Sequence, residues 1–227
     1  MTEYDSWASD YDAWSAGMTE DIPFYTDLVR EADGPVVELM VGTGRVAIPA
    51  ARATGKRIVG IDSSPAMLEV ARERAGDLSL DLRLGDVCDL ELGERAALVY
   101  IPFRSLLHVP GWRARRRLFE RVAASLRPGG RFAFNGFVFD PKLAVEQDGA
   151  TIVQNGIEHT VRHVPADNRI ELAREGADTL HLWWWTRPEI EGLLEIAGLE
   201  IEALYGWFDR RPFDETSREM VWIARKP

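Results

Sequence analysis

The sequence has few of the features that mark secreted, membrane or nucleic-acid-binding proteins. A single cysteine, Cys88, excludes an internal disulfide and favours a reducing compartment. No apolar run approaches the length of a membrane span, and the acidic, aromatic N-terminus does not have the pattern of a secretory signal. Acidic residues outnumber basic ones by 37 to 27, so no basic face for nucleic acid is expected. We therefore expect a cytoplasmic protein without membrane or nucleic-acid partners.

Metal-ligand spacing and internal repeats are also missing. The four histidines are not spaced with acidic residues in a pattern typical of metal sites, which predicts no metal; they are His108, His159, His163 and His181. One basic run, Trp112 to Arg117, lies at the start of an apparent helix, and we interpret it as a solvated face. The absence of repeats, linkers and low-complexity tracts indicates one domain over residues 1–227.

Alternating strands and helices fill the first two thirds of the chain. Strands are predicted at PVVELM, RIVGID, LDLRLGD, ALVYIPF and RFAFNGFVF, with helices between them. This alternation predicts an α/β fold with a doubly wound, mostly parallel sheet. Residues 1–32 are predicted to form an N-terminal helical lid, and residues 148–185 an inserted antiparallel β lobe. A last helix and two terminal strands, LEIEALYGWF and SREMVWIARK, complete the chain.

The stretch VVELMVGTGRVA predicts a strand that runs into a tight, ligand-holding turn. In a doubly wound sheet the ligand lies at the carboxyl ends of the strands, beside such a turn. Gly42, Gly44 and Ala47 fit the spacing of dinucleotide-binding loops, and Asp62 lies 20 positions after Gly42, where such proteins keep a ribose-binding acid. This spacing alone does not distinguish NAD from another adenosine-containing ligand.

The surrounding stretches resemble the class I S-adenosylmethionine-dependent methyltransferases, in particular their small-molecule members. The resemblance runs from about Tyr11 to the C-terminus and is carried by VVELMVGTGR, GIDSSPAMLEVAR, LRLGDVCDL, IPFRSLLHV and LRPGGRFAFNGF, in that order. It implies a seven-stranded Rossmann-like methyltransferase fold with a reversed C-terminal hairpin. It also implies S-adenosyl-L-methionine as cofactor, S-adenosyl-L-homocysteine as product and a small-molecule acceptor.

The resemblance also assigns residues to the cofactor. Asp62 would accept hydrogen bonds from the ribose hydroxyls, Met67 would pack on the adenine face, and Asp86 would bind the adenine amino group. The full set implied to bind the cofactor is Tyr11, Glu38, Met40, Gly42, Gly44, Asp62, Ser63, Met67, Asp86, Val87, Ile101 and Pro102.

Met40 departs from the family pattern, which has Gly or Ala at this position. The turn glycines Gly42 and Gly44 are intact, and the alternation of strand side chains lets the Met40 side chain leave the ligand face. We therefore expect Met40 to be tolerated, with an effect on cofactor affinity as the open question.

Beyond the cofactor set, four side chains are predicted around the acceptor: His108, Trp14, Arg104 and Trp185. Methyl transfer requires alignment, and a base only where the acceptor must lose a proton. His108 is the predicted base, because histidine ordinarily titrates near neutral pH, although it also fits a helix cap or the core edge. Tyr11 is predicted to reach over the cofactor at the reacting centre. Trp14 would close the lid, and Arg104 would bind an acceptor carboxylate or phosphate, or face solvent. Trp185 would line the acceptor pocket or fill the core.

The leading hypothesis is transfer of a methyl group to nitrogen or oxygen of a small molecule. Two alternatives stay open: a non-catalytic protein that binds S-adenosylmethionine, and an NAD-dependent oxidoreductase supported only by the loop spacing. A monomer and a homodimer are both compatible with the sequence.

Overall fold

A seven-stranded sheet forms the centre of the molecule, as the sequence pattern predicts. The computed structural model describes residues 2–89, 91–92 and 95–227. The helices are α1 (Tyr11–Ser15), α2 (Asp21–Glu31), α3 (Ala47–Thr54), α4 (Pro65–Ala75), α5 (Gly111–Ser125), α6 (Pro141–Gln147) and α7 (Arg187–Ile196). The strands are β1 (Val36–Leu39), β2 (Ile58–Asp62), β3 (Leu80–Leu84), β4 (Ala96–Ile101), β5 (Leu126–Phe137), β6 (Thr151–Gln154), β7 (Ile157–Val164), β8 (Arg169–Ala173), β9 (Leu180–Trp183), β10 (Glu200–Tyr205) and β11 (Glu219–Arg225).

The strand order of the large sheet is β10-β11-β5-β4-β1-β2-β3. Strands β1 to β5 pair in parallel, and β11 lies antiparallel between β5 and β10. The predicted mostly parallel sheet with a reversed C-terminal hairpin is therefore confirmed. The fully buried β4 lies beside β1 at the centre, because its run of apolar residues suits a strand covered on both faces.

Helices cover both faces of this sheet. One core cluster packs α5 and α7 against the sheet, and a second packs α2 and α3 against the opposite face. Among the described residues, no helix combines the length and the apolar character needed to cross a bilayer.

The loop after β1 lies where the chain order reverses within the sheet. β1 pairs with β2 on one side and with β4 on the other, which makes this the crevice where doubly wound folds bind ligands. The backbone has positive φ at Met40 (57°), Gly42 (55°) and Gly44 (79°). The sheet topology and the glycine turn thus place the ligand-binding crevice at the predicted loop.

A second, four-stranded antiparallel sheet, with the order β6-β7-β8-β9, forms a lobe from Thr151 to Trp183. Within the predicted lobe, the stretch TIVQNGIEHTVRHV forms the two strands β6 and β7. Asn155 (φ 51°) and Gly156 (φ 83°) form the two-residue turn between them, and Asn-Gly is the dipeptide that such hairpins favour.

One strand begins earlier than predicted, and one helix was not predicted. Helix α5 ends at Ser125, and β5 begins at Leu126, so that it includes the RPGG stretch ahead of the predicted strand RFAFNGFVF. Helix α6 was not predicted, although its start has a readable signal. The Asp140 carboxylate accepts a hydrogen bond from the Lys142 amide (2.9 Å), and Pro141 occupies the first turn.

Candidate active site

A cavity of about 750 Å³ lies at the carboxyl ends of β1, β2 and β3. The glycine loop follows β1, Asp62 ends β2, and Asp86 follows β3, so parallel strands deliver these residues to one edge. We call this the first cavity. The sequence-predicted residues that line it are Tyr11, Met40, Gly42, Asp62, Ser63, Met67, Asp86, Val87 and His108.

The Asp62 carboxylate is fixed by backbone donors. The Gly42 amide donates to one oxygen at 2.8 Å, and the Ser64 amide donates to the other at 2.9 Å. Burial raises the pKa of Asp62, and these hydrogen bonds oppose that rise. A carboxylate held in this way keeps lone pairs for two neighbouring hydroxyl groups of a ligand.

Met40 lines the first cavity, and the strand alternation that would let its side chain leave the ligand face does not apply to it. Strand β1 ends at Leu39, so the alternation of strand side chains does not extend to Met40. The residue instead adopts a left-handed conformation, which is unfavourable for a side chain of this size.

Four residues predicted to bind the cofactor lie outside the cavity walls. Ile101 is fully buried in the core, and Pro102 follows it at the end of β4. Gly44 supports helix α3, since a Cβ there would lie 2.7 Å from the Ile48 side chain. Glu38 is buried beneath the loop, where burial raises its pKa to about 8, and its Oε2 atom has no partner among the described residues.

A second cavity of about 720 Å³ adjoins the first. Its walls include Trp14 and Arg104, as predicted for acceptor contacts, together with the inner face of the four-stranded sheet. Four residues line both cavities, and we call them the shared wall: Tyr4, Tyr11, Ser105 and His108.

His108 forms a hydrogen-bonded pair with Tyr4 across the shared wall. The Tyr4 hydroxyl contacts His108 Nε2, and His108 Nδ1 faces the Glu3 carboxylate at 3.6 Å. Glu3 also bonds His181 Nδ1 at 2.9 Å. Burial alone would raise the pKa of Glu3, but the two histidines outweigh it, so that this pKa lies below its ordinary value. An ionised Glu3 favours the His108 tautomer with the proton on Nδ1, and Nε2 then accepts from Tyr4.

The Arg104 guanidinium is paired with a carboxylate of the protein. Its charge is therefore not free to bind an acceptor carboxylate or phosphate. The guanidinium donates to the fully buried Glu219 carboxylate, with the shortest contact at 2.7 Å. The Asn135 side chain donates to the same carboxylate at 2.7 Å. Arg104 therefore lines the second cavity as the partly exposed half of an ion pair whose carboxylate is buried.

Trp185 belongs to the core and lines neither cavity, which agrees with the second of its two predicted roles and not with contact to the acceptor. It is 1% exposed and packs against Gly136, where an added Cβ would lie 2.3 Å from the indole ring. Strand β9 ends at Trp183, which lines the first cavity. Trp184 stacks on Phe139 with ring centroids 4.0 Å apart. Because the strand stops, simple alternation does not decide the directions of the last two tryptophans.

The basic run is not only a solvated face. Arg115 is buried, pairs with Glu189 and donates to the Trp183 carbonyl at 2.8 Å. Arg113 and Arg117 line the first cavity. Helical periodicity places every third or fourth residue on the packed side of the helix, and Arg115 is one of these residues. The basic composition of the run did not reveal this position.

Glu3 and Tyr4 were missed because their partners are distant in sequence. Tyr4 and His108 are separated by 104 residues. The only local signal is the acidic, aromatic composition of the N-terminus.

The N-terminal segment, defined as residues 2–16, lies beside both cavities and is held there by hydrogen bonds. The Ser64 hydroxyl donates to the Asp5 carboxylate at 2.6 Å, and the Thr43 hydroxyl donates to Asp12 at 2.7 Å. The indole of the fully buried Trp7 donates to the carbonyl of Asp178 in the lobe at 2.8 Å. The segment thereby joins the large sheet to the lobe and supplies two residues of the shared wall.

The first cavity fits a nucleoside that carries an amino-acid chain. Its volume lies within the usual range for small-ligand sites, which is roughly 300–1,000 Å³. Nothing lies within 4 Å of a Cβ built on Gly42, so a ligand has room beside that backbone. Asp62 offers a fixed acceptor for hydroxyl groups, and the buried Met67 offers an apolar surface.

Comparison with known proteins gives consistent matches. A family described as "Methyltransferase domain" matches residues 36–130. Methyltransferase GfsG of Streptomyces halstedii is 32% identical over 73% of this chain, and the chain covers 59% of that relative, less than two thirds of its length. The 27-O-demethylrifamycin SV methyltransferase of Amycolatopsis mediterranei is 28% identical over 88% of this chain and 80% of its own. The solved CcbJ methyltransferase from Streptomyces caelestis has a TM-score of 0.85 at 27% identity, covering 100% of this chain and 98% of that one.

The sheet topology, the glycine loop with its oriented Asp62 and these similarities together show that the chain has the fold of the class I S-adenosylmethionine-dependent methyltransferases. These similarities favour S-adenosyl-L-methionine over NAD as the ligand of the first cavity.

Proposed function

We propose that the enzyme moves a methyl group from the first cavity to a nitrogen or oxygen atom of a small molecule held in the second. The observation that carries this proposal is the shared wall, since Tyr4, Tyr11, Ser105 and His108 border both cavities. Residues 1–32 would act as the lid that separates the reacting groups from water, and residues 148–185 would enclose the acceptor.

The residues of the first cavity would hold and align the cofactor. Bound S-adenosyl-L-methionine supplies an electrophilic methyl group on a sulfonium. Asp62 would bind its ribose hydroxyls, Met67 would pack on the adenine, and Asp86 would bind the adenine amino group. The buried Glu38 carboxyl lies below the loop and would support the amino-acid end from beneath. Alignment of this kind contributes most of the acceleration in a displacement that already has a good leaving group.

The Tyr4–His108 pair would take the proton that the acceptor loses. Burial keeps the pKa of Tyr4 well above its ordinary value, so Tyr4 is a neutral phenol. The acceptor proton would pass to the Tyr4 oxygen while the Tyr4 proton passes to His108 Nε2. The imidazolium that results would lie 3.6 Å from the Glu3 carboxylate, which stabilises its charge.

One of the relatives with high coverage supports a small-molecule acceptor. The name of the Amycolatopsis mediterranei relative gives 27-O-demethylrifamycin SV as its substrate, a small molecule methylated on oxygen. The volume of the second cavity, about 720 Å³, also fits a small molecule.

The test is methyl transfer by wild-type protein and a His108→Gln variant to a panel of small hydroxylated and amino compounds. Removing the base should lower kcat by roughly 10²–10⁴-fold, and the pH dependence assigned to the base should disappear. His181→Gln, which changes only the far partner of Glu3, should lose much less activity. Wild-type turnover and pH dependence in His108→Gln would contradict the proposed proton transfer.

A further inference from the structure

Two histidines interrupt the aliphatic inner face of the lobe. Side chains alternate along β7, so His159, Val161 and His163 share one face, and all three line the second cavity. The next strand adds Ile170 and Leu172 to the same face. The imidazoles are therefore polar groups on a mostly apolar surface, to which Gln154 of β6 also contributes.

Each imidazole has a buried nitrogen without a partner among the described residues. His159 is 4% exposed, and its Nδ1 atom has no hydrogen bond. His163 Nε2 is also buried and unpaired, although its backbone amide donates to Asp148 at 2.8 Å. Buried polar groups in folded proteins are nearly always satisfied, so two unpaired imidazole nitrogens in one cavity wall are unusual.

The charges around this cavity indicate an uncharged ligand. Burial lowers the pKa of both histidines, so both are neutral at neutral pH. Arg104 is paired with Glu219, and Arg218 faces the Asp140 carboxylate at 3.9 Å. Within the described residues, each of these two cations thus has its own carboxylate.

Neutral imidazoles select for groups that both donate and accept. Each offers one N–H donor and one nitrogen acceptor, which matches a hydroxyl group or an amide. A phosphate or carboxylate would instead require cationic donors, and an ammonium group would require an unpaired carboxylate. Phe139, stacked on Trp184, adds an aromatic wall for an apolar part of the same ligand.

We propose that His159 and His163 form a recognition site for an uncharged, hydroxyl-bearing part of the methyl acceptor, such as the sugar of a glycoside with an apolar aglycone. This proposal rests on the proposed function, because it takes the second cavity as the acceptor site.

Imidazole nitrogen NMR tests the site without an activity assay. Protein labelled with ¹⁵N-histidine and bound to S-adenosylhomocysteine is titrated with phenyl β-D-glucopyranoside or with phenyl phosphate, which share the same ring. The glycoside should shift the His159 and His163 resonances, and the phosphate should bind at least roughly tenfold more weakly. Equal or tighter binding of the phosphate, or no imidazole shift with millimolar glycoside, would overturn the proposal.

Variants separate recognition from folding. His159→Phe and His163→Phe should each weaken glycoside binding by roughly tenfold, while His159→Gln, which keeps a donor and an acceptor, should retain most of it. Thr160→Val lies on the opposite, exposed face of β7 and should bind like wild type. Unchanged glycoside binding in both phenylalanine variants would contradict the proposal. Binding of S-adenosylhomocysteine is measured on the same samples and tests the proposed function separately. If S-adenosylhomocysteine does not bind, the glycoside titration can still be interpreted.

Discussion

Met40 adopts a backbone conformation that glycine would occupy without strain. Its φ of 57° lies in the left-handed region, which costs a residue with a Cβ about 1–2 kcal/mol. Met40 also lines the first cavity, beside Gly42 and Asp62, and packs against the core. The cost of this residue therefore concerns both folding and cofactor binding.

A Met40→Gly variant should bind S-adenosylhomocysteine several-fold more tightly than wild type, because the loop is relieved of strain and the cavity is enlarged. Calorimetric titration measures this directly. A weaker affinity would mean that the thioether contacts the cofactor favourably, and that Met40 is a binding residue in its own right.

Glu38 makes the stability of the ligand-free protein depend on pH in an unusual direction. Burial raises its pKa in the folded protein to about 8, against an ordinary value of 4.5. Between these values the unfolded chain loses the proton while the folded protein keeps it. The unfolded state then binds fewer protons, so the free energy of unfolding decreases as pH rises through this window.

Glu38→Gln should remove that decrease. From about pH 5 to about pH 8, the wild type should lose on the order of 3 kcal/mol of stability to this group, and the variant should show a flatter profile. Denaturant unfolding of the ligand-free proteins at several pH values measures both. Parallel profiles for the two proteins would show that Glu38 is ionised in the folded state.

At the scale of elements, the N-terminal segment is held by contacts to both the large sheet and the lobe. Trp7 is fully buried against the lobe, and Asp5 and Asp12 bond to Ser64 and Thr43 of the large domain. A terminal segment stays ordered only where such contacts hold it, so loss of a buried anchor is expected to open the cavities here.

Trp7→Ala should detach the segment while the seven-stranded sheet stays folded. Removing a buried tryptophan costs about 3–5 kcal/mol, enough to favour local opening. Protease cleavage within residues 2–16 should accelerate by at least roughly tenfold, with a small change in the melting temperature. Trp112→Ala, which alters a tryptophan that is 43% exposed, is the matched control. Equal cleavage rates in the two variants would contradict the proposed anchoring.

Elements were predictable where local pattern decides them. The β1 loop, Asp62 at the end of β2 and the Ser64 cap of α4 follow from spacing and capping chemistry, and the structure has all of them. Trp185 was not predictable because its direction depends on where β9 stops. Arg104 was not predictable because its partner Glu219 lies 115 residues away.

At the scale of the whole molecule, the division into two cavities is a long-range property. The alternation of strands and helices predicts the central sheet, since each short segment carries its own signal. The shared wall instead requires the N-terminal segment to meet the residues after β4, and Tyr4 and His108 are 104 residues apart. No local pattern encodes that contact, so Tyr4 and Glu3 emerge only from the folded chain.

Calorimetric titration of S-adenosylhomocysteine into two variants tests the assignment of the cavities most directly. Asp62→Ala changes the first cavity, and Ile152→Trp partly fills the second. The account predicts that Asp62→Ala loses at least roughly tenfold in affinity, while Ile152→Trp binds like wild type. Wild-type affinity in Asp62→Ala, or loss of binding in Ile152→Trp, would contradict the placement of the cofactor in the first cavity.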